Sequence, residues 1–219
     1  MKINKETIII LSISIIFLAG FGFLVYFFNP SVKSAPTPIN PDLLIKDTIH
    51  MTGAKEAKVT LVEFGDYQCP ACGQIYPITE ELIKIYGQNP NFNFVYRHFP
   101  LPQHKNARIA AEAAEAASAQ GKFWEMHKLL YENQNEWSEI SDPVSIFKKY
   151  AEQINLNTSE FVDALNRHTY INIVQFDMNA GIKISLDYTP TLFINGIEEK
   201  NINLNSLKAE IDALIESRY

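Results

Sequence analysis

Cysteine is nearly absent: a chain of 219 residues contains two. Domains stapled by disulfides carry many more links per residue, so that class is excluded. Both cysteines fall in one stretch, Cys69-Pro70-Ala71-Cys72, and their role is therefore local. Zinc uses such a pair as half of a four-ligand site, but there is no second CxxC. His50, His98, His104, His127 and His168 form no HxxxH-type group. Only the convergence of distant histidines would complete a site, and no metal is expected. Positive charge is also scarce. Beyond residue 33, once Lys2, Lys5, Lys33 and Glu6 are set aside, 16 basic residues face 24 acidic ones, which makes nucleic acid a poor partner. Internal repeats are missing, and ordinary apolar and charged fractions argue against wholesale disorder.

One long apolar run is present. Ile8 to Phe28 is 21 residues without a charge; at about 1.5 Å per residue it is long enough to cross a bilayer as a helix. A cleaved signal needs a shorter run and a small-x-small site. The nearby candidate, Lys33-Ser34-Ala35, is followed by Pro36, which hinders a peptidase. Lys2 and Lys5 precede the run and only Lys33 follows it closely, so the amino terminus is expected in the cytoplasm and the body outside. Residues 1–28 thus read as a cytoplasmic end and a single-pass anchor in the cell membrane. Residues 29–46, with four prolines, read as a linker. The folded part is expected on the periplasmic or extracellular side, where thiols are not kept reduced by default.

Beyond the linker, Val59 to Phe64 (VTLVEF) is a buried strand. Pro70 suits the first turn of a helix whose Ile75, Ile78, Leu82, Ile83 and Tyr86 recur at helical spacing up to Gly87. Asn91 to Phe99 alternates and is aromatic-rich, a second strand, so strand-helix-strand implies a parallel pair. From about residue 105 to 184 no strand is convincing. Helices are expected over 107–119, 123–133, 143–153, 159–166 and 170–184, with Asp142 and Thr158 as caps. Thr191 to Asn195 returns to strand, Asn195-Gly196 marks a hairpin with Ile197 to Ile202, and Leu204 to Ser217 closes as an amphipathic helix. The fold class is α/β, a small sheet interrupted by a helical insertion.

A disulfide between residues three apart closes too short a loop to add much stability. A helix beginning at Pro70 puts Cys69 at its amino-terminal end, where free N–H groups and the helix dipole favour a thiolate. Cys69 is then the nucleophile and Cys72, nearly a turn further in, the resolving thiol. Glu63, six residues before Cys69, is a carboxylate in an otherwise apolar strand; it either exchanges protons with Cys72 or lies exposed near a sheet edge. Pro190 precedes the TLFIN strand. The ordinary reading is a trans proline, and the functional one is a cis bond presenting the Thr189 backbone to an extended substrate.

The stretches V-E-F-G-D-Y-Q-C-P-A-C (62–72), Y-R-H-F-P-L (96–101), G-K-F-W-E-M-H-K-L-L-Y (121–131) and T-P-T-L-F-I-N-G (189–196) occur in that order. The set resembles the DsbA-like thiol-disulfide oxidoreductases of the thioredoxin superfamily over about residues 47–217. The resemblance implies a thioredoxin-like core in two parts, 47–104 and 185–219, around a helical insertion at 105–184. It implies that Cys69 is the exposed nucleophile, Cys72 the resolving cysteine, Glu63 the buried acid and Pro190 a cis-proline facing the pair. It implies no cofactor, exported proteins with cysteine thiols as substrates, and a quinone-linked membrane partner for reoxidation. Two features depart from the family. Pro70-Ala71 stands where strongly oxidising members have a histidine, and no amino-terminal dimerisation domain precedes the core, so a monomer is expected. The expected activity is disulfide donation. A reductase or isomerase with the pair kept reduced, and a tethered binding or chaperone module, are the other functions the residues allow. Phe123, Trp124, Leu129 and Leu130 read as a packed helix face, and Arg97 and His98 as structural.

Overall fold

The computed structural model describes residues 38–47 and 50–217, and Gly20 alone before them. The apolar run expected to anchor the chain lies, apart from Gly20, outside the described residues. Among the described residues no helix is long and apolar enough to cross a membrane.

Five strands form one sheet in the order β1-β3-β2-β4-β5: β1 (Met51–Gly53), β2 (Val59–Gly65), β3 (Phe92–His98), β4 (Thr191–Ile194) and β5 (Ile197–Glu198). β2 is central. It pairs in parallel with β3, from Val59 opposite Phe92 to Gly65 opposite His98, and antiparallel with β4 on its other side. The parallel pair is joined by α2 (Pro70–Tyr86), the crossover that the strand-helix-strand pattern requires. Alternation along β2 sends Val59 and Leu61 into one core and Val62 and Phe64 into another, because successive strand side chains point to opposite faces. Glu63 shares the parity of Leu61. It therefore points into the core that holds Cys72 and the buried stripe Ile75, Tyr76, Thr79 and Leu82 of α2.

Between β3 and β4 run α3 (Ala107–Ser118), α4 (Phe123–Glu132), α5 (Gln134–Trp137), α6 (Val144–Gln153), α7 (Thr158–Asn166) and α8 (Ile171–Lys183). α3 is alanine-rich and nearly all buried. Its small side chains let α4, α6, α7 and α8 pack around it. α9 (Leu204–Glu216) closes the chain on the α2 side of the sheet.

Four local features differ from the sequence expectation. Residues 41–45, read as the end of the linker, form a short helix, α1 (Pro41–Ile45). Leu44 is 1% exposed in the second core, and the Ile39 N–H donates to the Gly196 carbonyl at 2.8 Å. β1 is too short to carry a periodic signal and exists by pairing with β3. The cap of α7 is Asn157, whose Oδ1 accepts from the Glu160 N–H, and Thr158 is the first helical residue. β5 ends at Glu198, well short of Ile202. The hairpin itself forms at Asn195 and Gly196, both at positive φ (48° and 87°), the backbone that favours Asn-Gly. A Cβ at position 196 would lie 2.2 Å from the Ile39 carbonyl oxygen, so the same glycine admits the docked segment.

Candidate active site

The segment from Asp66 to Cys69 joins β2 to α2, and its neighbours leave it little freedom. Asp66 accepts from the Gln68 N–H (2.7 Å) through Oδ1, and from the Leu101 N–H (2.8 Å) and His104 Nδ1 (2.6 Å) through Oδ2. Gln68 Nε2 donates to the Ser138 carbonyl (2.6 Å) and its Oε1 accepts from the Asn106 N–H (2.6 Å). Gln134 Nε2 donates to the carbonyls of Tyr67 (2.7 Å) and Cys69 (2.9 Å). A Cβ at Gly73 would meet Gln134 Oε1 at 2.8 Å, so the glycine lets this amide approach. The cysteines' turn is thus held by the insertion as well as by the sheet. Spacing gave no sign of these partners, although Asp66 and Gln68 lie inside the motif itself.

Cys69 is the N-cap of α2, with Pro70 in the first turn. Both cysteines are free thiols; Cys69 is 6% exposed and Cys72 is 0% exposed. The Cys69 pKa falls to about 5. The hydrogen bond from the Cys72 thiol is the largest cause, burial opposes it, and Thr189 and the backbone N–H groups of Cys72 and Ala71 add to the fall. The helix end contributes as the sequence suggested, but less than the neighbouring thiol. Burial pushes Cys72 well up, reinforced by its bond to Cys69 and by the charge of Glu63, while the Asp66 N–H at 3.5 Å pulls it slightly down. One proton therefore stays on Cys72 while Cys69 ionises.

The Thr189–Pro190 peptide bond is cis. In the thiol form Cys69 Sγ donates to the Thr189 carbonyl at 3.4 Å, while the Thr189 side chain favours the Cys69 thiolate. Glu63 is 1% exposed and its Oε1 also lacks a partner; the exposed-edge alternative does not describe it. Burial raises its pKa to about 8, the charge of Glu80 adds to this, and the Thr79 hydroxyl opposes it. Cys69, Cys72, Thr189 and Glu63 thus form one electrostatic unit.

Behind the cysteine loop lies a buried polar cluster that the sequence did not reveal. His50 Nε2 and His98 Nε2 both meet Glu115 Oε1, at 2.5 and 2.7 Å. Burial alone would raise Glu115, but these two bonds overcome it and hold its pKa at about 2. The three donor atoms lie within 4.8 Å of one another, the convergence of distant histidines that spacing left open. The three bond one another, and neither cysteine belongs to the group. The Tyr67 ring lies against His98, with centroids 5.9 Å apart, which ties the cluster to the loop, and the Tyr67 hydroxyl bonds His127 Nδ1 at 2.9 Å. Arg97 lies 3.5 Å from Asp177, and the His98 N–H donates to the same carboxylate at 3.0 Å.

A family model described as thioredoxin matches residues 46–213, and the chain belongs to that family. Among solved structures the fold is similar to oxidised BdbD from Bacillus subtilis, with a TM-score of 0.69 and 23% identity over 84% of this chain and 98% of that one. It is also similar to alpha-DsbA1 from Wolbachia pipientis, with a TM-score of 0.70 and 19% identity over 80% of this chain and 94% of that one. These likenesses give the chain the DsbA-like form of the thioredoxin fold, in agreement with the ordered motifs. Curated relatives include proteins named Na(+)/H(+) antiporter NhaA 1. The one from Salinispora arenicola is 39% identical over 177 residues, 80% of this chain and 25% of that protein. The one from Mycolicibacterium vanbaalenii is 35% identical over 175 residues, 76% of this chain and 27% of that protein. The chain spans about a quarter of the length of these relatives.

Two measurements check these electrostatics. Alkylation of Cys69 in the reduced protein should follow a titration centred near pH 5, against about 8.5 for a free thiol. Cys72→Ala, which removes the largest cause, should move that centre upward; an unmoved centre would contradict the assignment. For Glu63 the folded pKa lies above the unfolded one, so stability is fully present below about pH 4.5 and is lost as pH rises towards 8. Glu63→Gln should therefore change stability little at pH 4.5 and raise it by on the order of 4 kcal/mol at pH 8 or above. Urea unfolding of the oxidised protein, in which the thiols do not titrate, measures the difference.

Proposed function

We propose that the chain is a thiol-disulfide oxidoreductase that donates its Cys69-Cys72 disulfide to exported proteins. The observation that carries this is the placement of Cys69 as the N-cap of α2 beside the fully buried Cys72, which draws the Cys69 pKa down to about 5 while Cys72 keeps its proton. A substrate thiolate attacks Cys69 Sγ, the Cys69-Cys72 bond breaks, and Cys72 leaves with the electron pair and takes up a proton. A second substrate thiolate then attacks the substrate sulfur of the mixed disulfide and Cys69 leaves. The substrate loses two electrons and the enzyme gains them. A thiolate stabilised at Cys69 is a good leaving group and stabilises the reduced enzyme, and both effects favour donation over reduction. Pro70 and Ala71 bring no side-chain donor to the thiolate, so the Cys72 hydrogen bond carries this preference in place of a histidine.

Glu63 is assigned the proton exchange with Cys72, and Thr189 with Pro190 the pairing with an extended substrate strand. The reading includes a monomer without a bound cofactor. Its core comprises residues 47–104 and 185–219, and its insertion residues 105–184. Residues 1–28 hold it to the membrane, and the residues after them lead to an extracytoplasmic body that includes the docked Ile39 and α1. A quinone-linked membrane partner returns the enzyme to the disulfide. In the longer antiporter relatives the matched quarter is read as a thioredoxin-like unit, and no ion transport is assigned to this chain.

Cys72→Ser leaves the mixed disulfide without its resolving thiol, so covalent adducts with client proteins should accumulate in cells. The wild-type pair should be mostly disulfide when trapped by acid and alkylated. Absence of adducts would favour a binding module, and a mostly dithiol pair would favour a reductase.

A further inference from the structure

Cys72 passes through an anion in both directions of exchange. It leaves as a thiolate when a substrate opens the disulfide, and it attacks as one when the mixed disulfide closes. Its surroundings resist that anion: burial, the Cys69 sulfur and the charge of Glu63 all keep its proton in place. What opposes them is the Asp66 N–H, which donates to Cys72 Sγ at 3.5 Å. The direction in which this amide points therefore bears on how readily Cys72 exchanges.

Asp66 stands between the two cysteines. Its N–H faces Cys72, and its carbonyl accepts from the Cys69 N–H at 3.1 Å. Its side chain is fully buried, and both carboxylate oxygens are engaged. Oδ1 takes the Gln68 N–H, which ties the loop only to itself. Oδ2 reaches outside the loop, to the Leu101 N–H at 2.8 Å and to His104 Nδ1 at 2.6 Å. Leu101 and His104 belong to one turn after β3, closed by the His104 N–H on the Leu101 carbonyl at 3.0 Å. The His104 carbonyl in turn accepts from the Ala107 N–H at the start of α3, at 3.2 Å. Through its imidazole, which is 19% exposed, a side chain near the surface thus holds the residue whose amide meets a buried sulfur.

We propose that His104 is a positioning residue for the exchange reaction: through the Asp66 carboxylate it keeps the Asp66 amide aimed at the Cys72 sulfur as that sulfur becomes an anion. The inference rests on the reading of the pair as one that exchanges disulfides. His104 touches neither sulfur nor substrate. It donates through Nδ1, so its neutral form carries the hydrogen on that nitrogen. Without the imidazole, Oδ2 keeps the Leu101 N–H alone, Asp66 is held more loosely, and its N–H spends less time on the sulfur.

The test is single-turnover oxidation of the reduced protein by oxidised glutathione, with acid quenching and alkylation to separate the two steps. First the Cys69 thiolate takes one glutathione sulfur and the other leaves as a thiolate. Closure then forms the Cys69–Cys72 bond from the Cys72 thiolate, and the second glutathione leaves with the electron pair. The Cys72 proton goes to Glu63, as assigned above. Losing one hydrogen bond makes the Cys72 anion about tenfold rarer and each anion about threefold more nucleophilic, so His104→Ala should slow closure about threefold. Opening of the disulfide by reduced glutathione should slow by a similar factor. The equilibrium between the two forms should hold its wild-type value, because Cys72 is neutral at both ends.

Attack by Cys69 should keep its rate, and the Asp66 amide should exchange its hydrogen with solvent faster. His104→Asn places an amide N–H where Nδ1 stood and should restore both closure and protection. Closure at the wild-type rate in His104→Ala would overturn the proposal. So would a slow variant that His104→Asn does not restore, or one in which Cys69 attack slows equally, since either marks a general loosening of the turn. If the wild-type protein itself forms no mixed disulfide with glutathione or never closes it, the exchange reading falls and the inference with it. If it closes but Cys72→Ser captures no clients in cells, donation falls and the role of His104 stands. Should His104→Ala fail to fold, nitrogen NMR of the wild-type imidazole decides. A neutral His104 with its hydrogen on Nδ1 supports the proposal, and one with its hydrogen on Nε2 contradicts it.

Discussion

The influence of the two thiols on each other sets the chemistry of this protein. Cys72 sits inside the core, where burial makes its own ionisation costly, and so it keeps a proton to offer to Cys69. Cys69 sits at the end of α2, where the amides of Ala71 and Cys72 add to that offer. The two residues are alike in sequence and opposite in environment. A difference of three positions along a helix turns one thiol into an anion and the other into an acid.

That arrangement demands a rigid turn, and the helical insertion supplies it. Gln134 holds the carbonyls of Tyr67 and Cys69, while Gln68 and Asn106 fasten the loop to the residues around Ser138. Asp66 fastens the other side to Leu101 and His104. Further back, the carboxylate of Glu115 accepts from two imidazoles on different segments and joins α3 to β3 and to the segment before β1. A buried charge of this kind is tolerable because its partners satisfy it; removing one would leave the rest uncompensated. The insertion is therefore a clamp on the cysteine turn as well as a cover for the sheet.

What could be read in the amino-acid sequence followed from range of interaction. β2, α2 and β3 were legible because VTLVEF, the Ile75 to Tyr86 stripe and the aromatic alternation of β3 are local patterns, and Asn195-Gly196 specifies its own turn. α1 and β1 were not, since five and three residues carry no period and are held by Leu44 burial and by pairing with β3. At the site, the two cysteines and Glu63 stood out by residue type and position, and Thr189 with Pro190 through the resemblance. The loop clamps were hidden because their partners are distant: Gln68 and Asn106 are 38 positions apart, and Gln134 and Tyr67 are 67 apart.

The central claim concerns where one proton resides, and carbon NMR of the cysteine β-carbons in the reduced wild-type protein reads that directly. The account requires the Cys69 resonance to move from thiol to thiolate around pH 5 while the Cys72 resonance remains that of a thiol beyond pH 9. Two resonances titrating together near the value of a free thiol would contradict it.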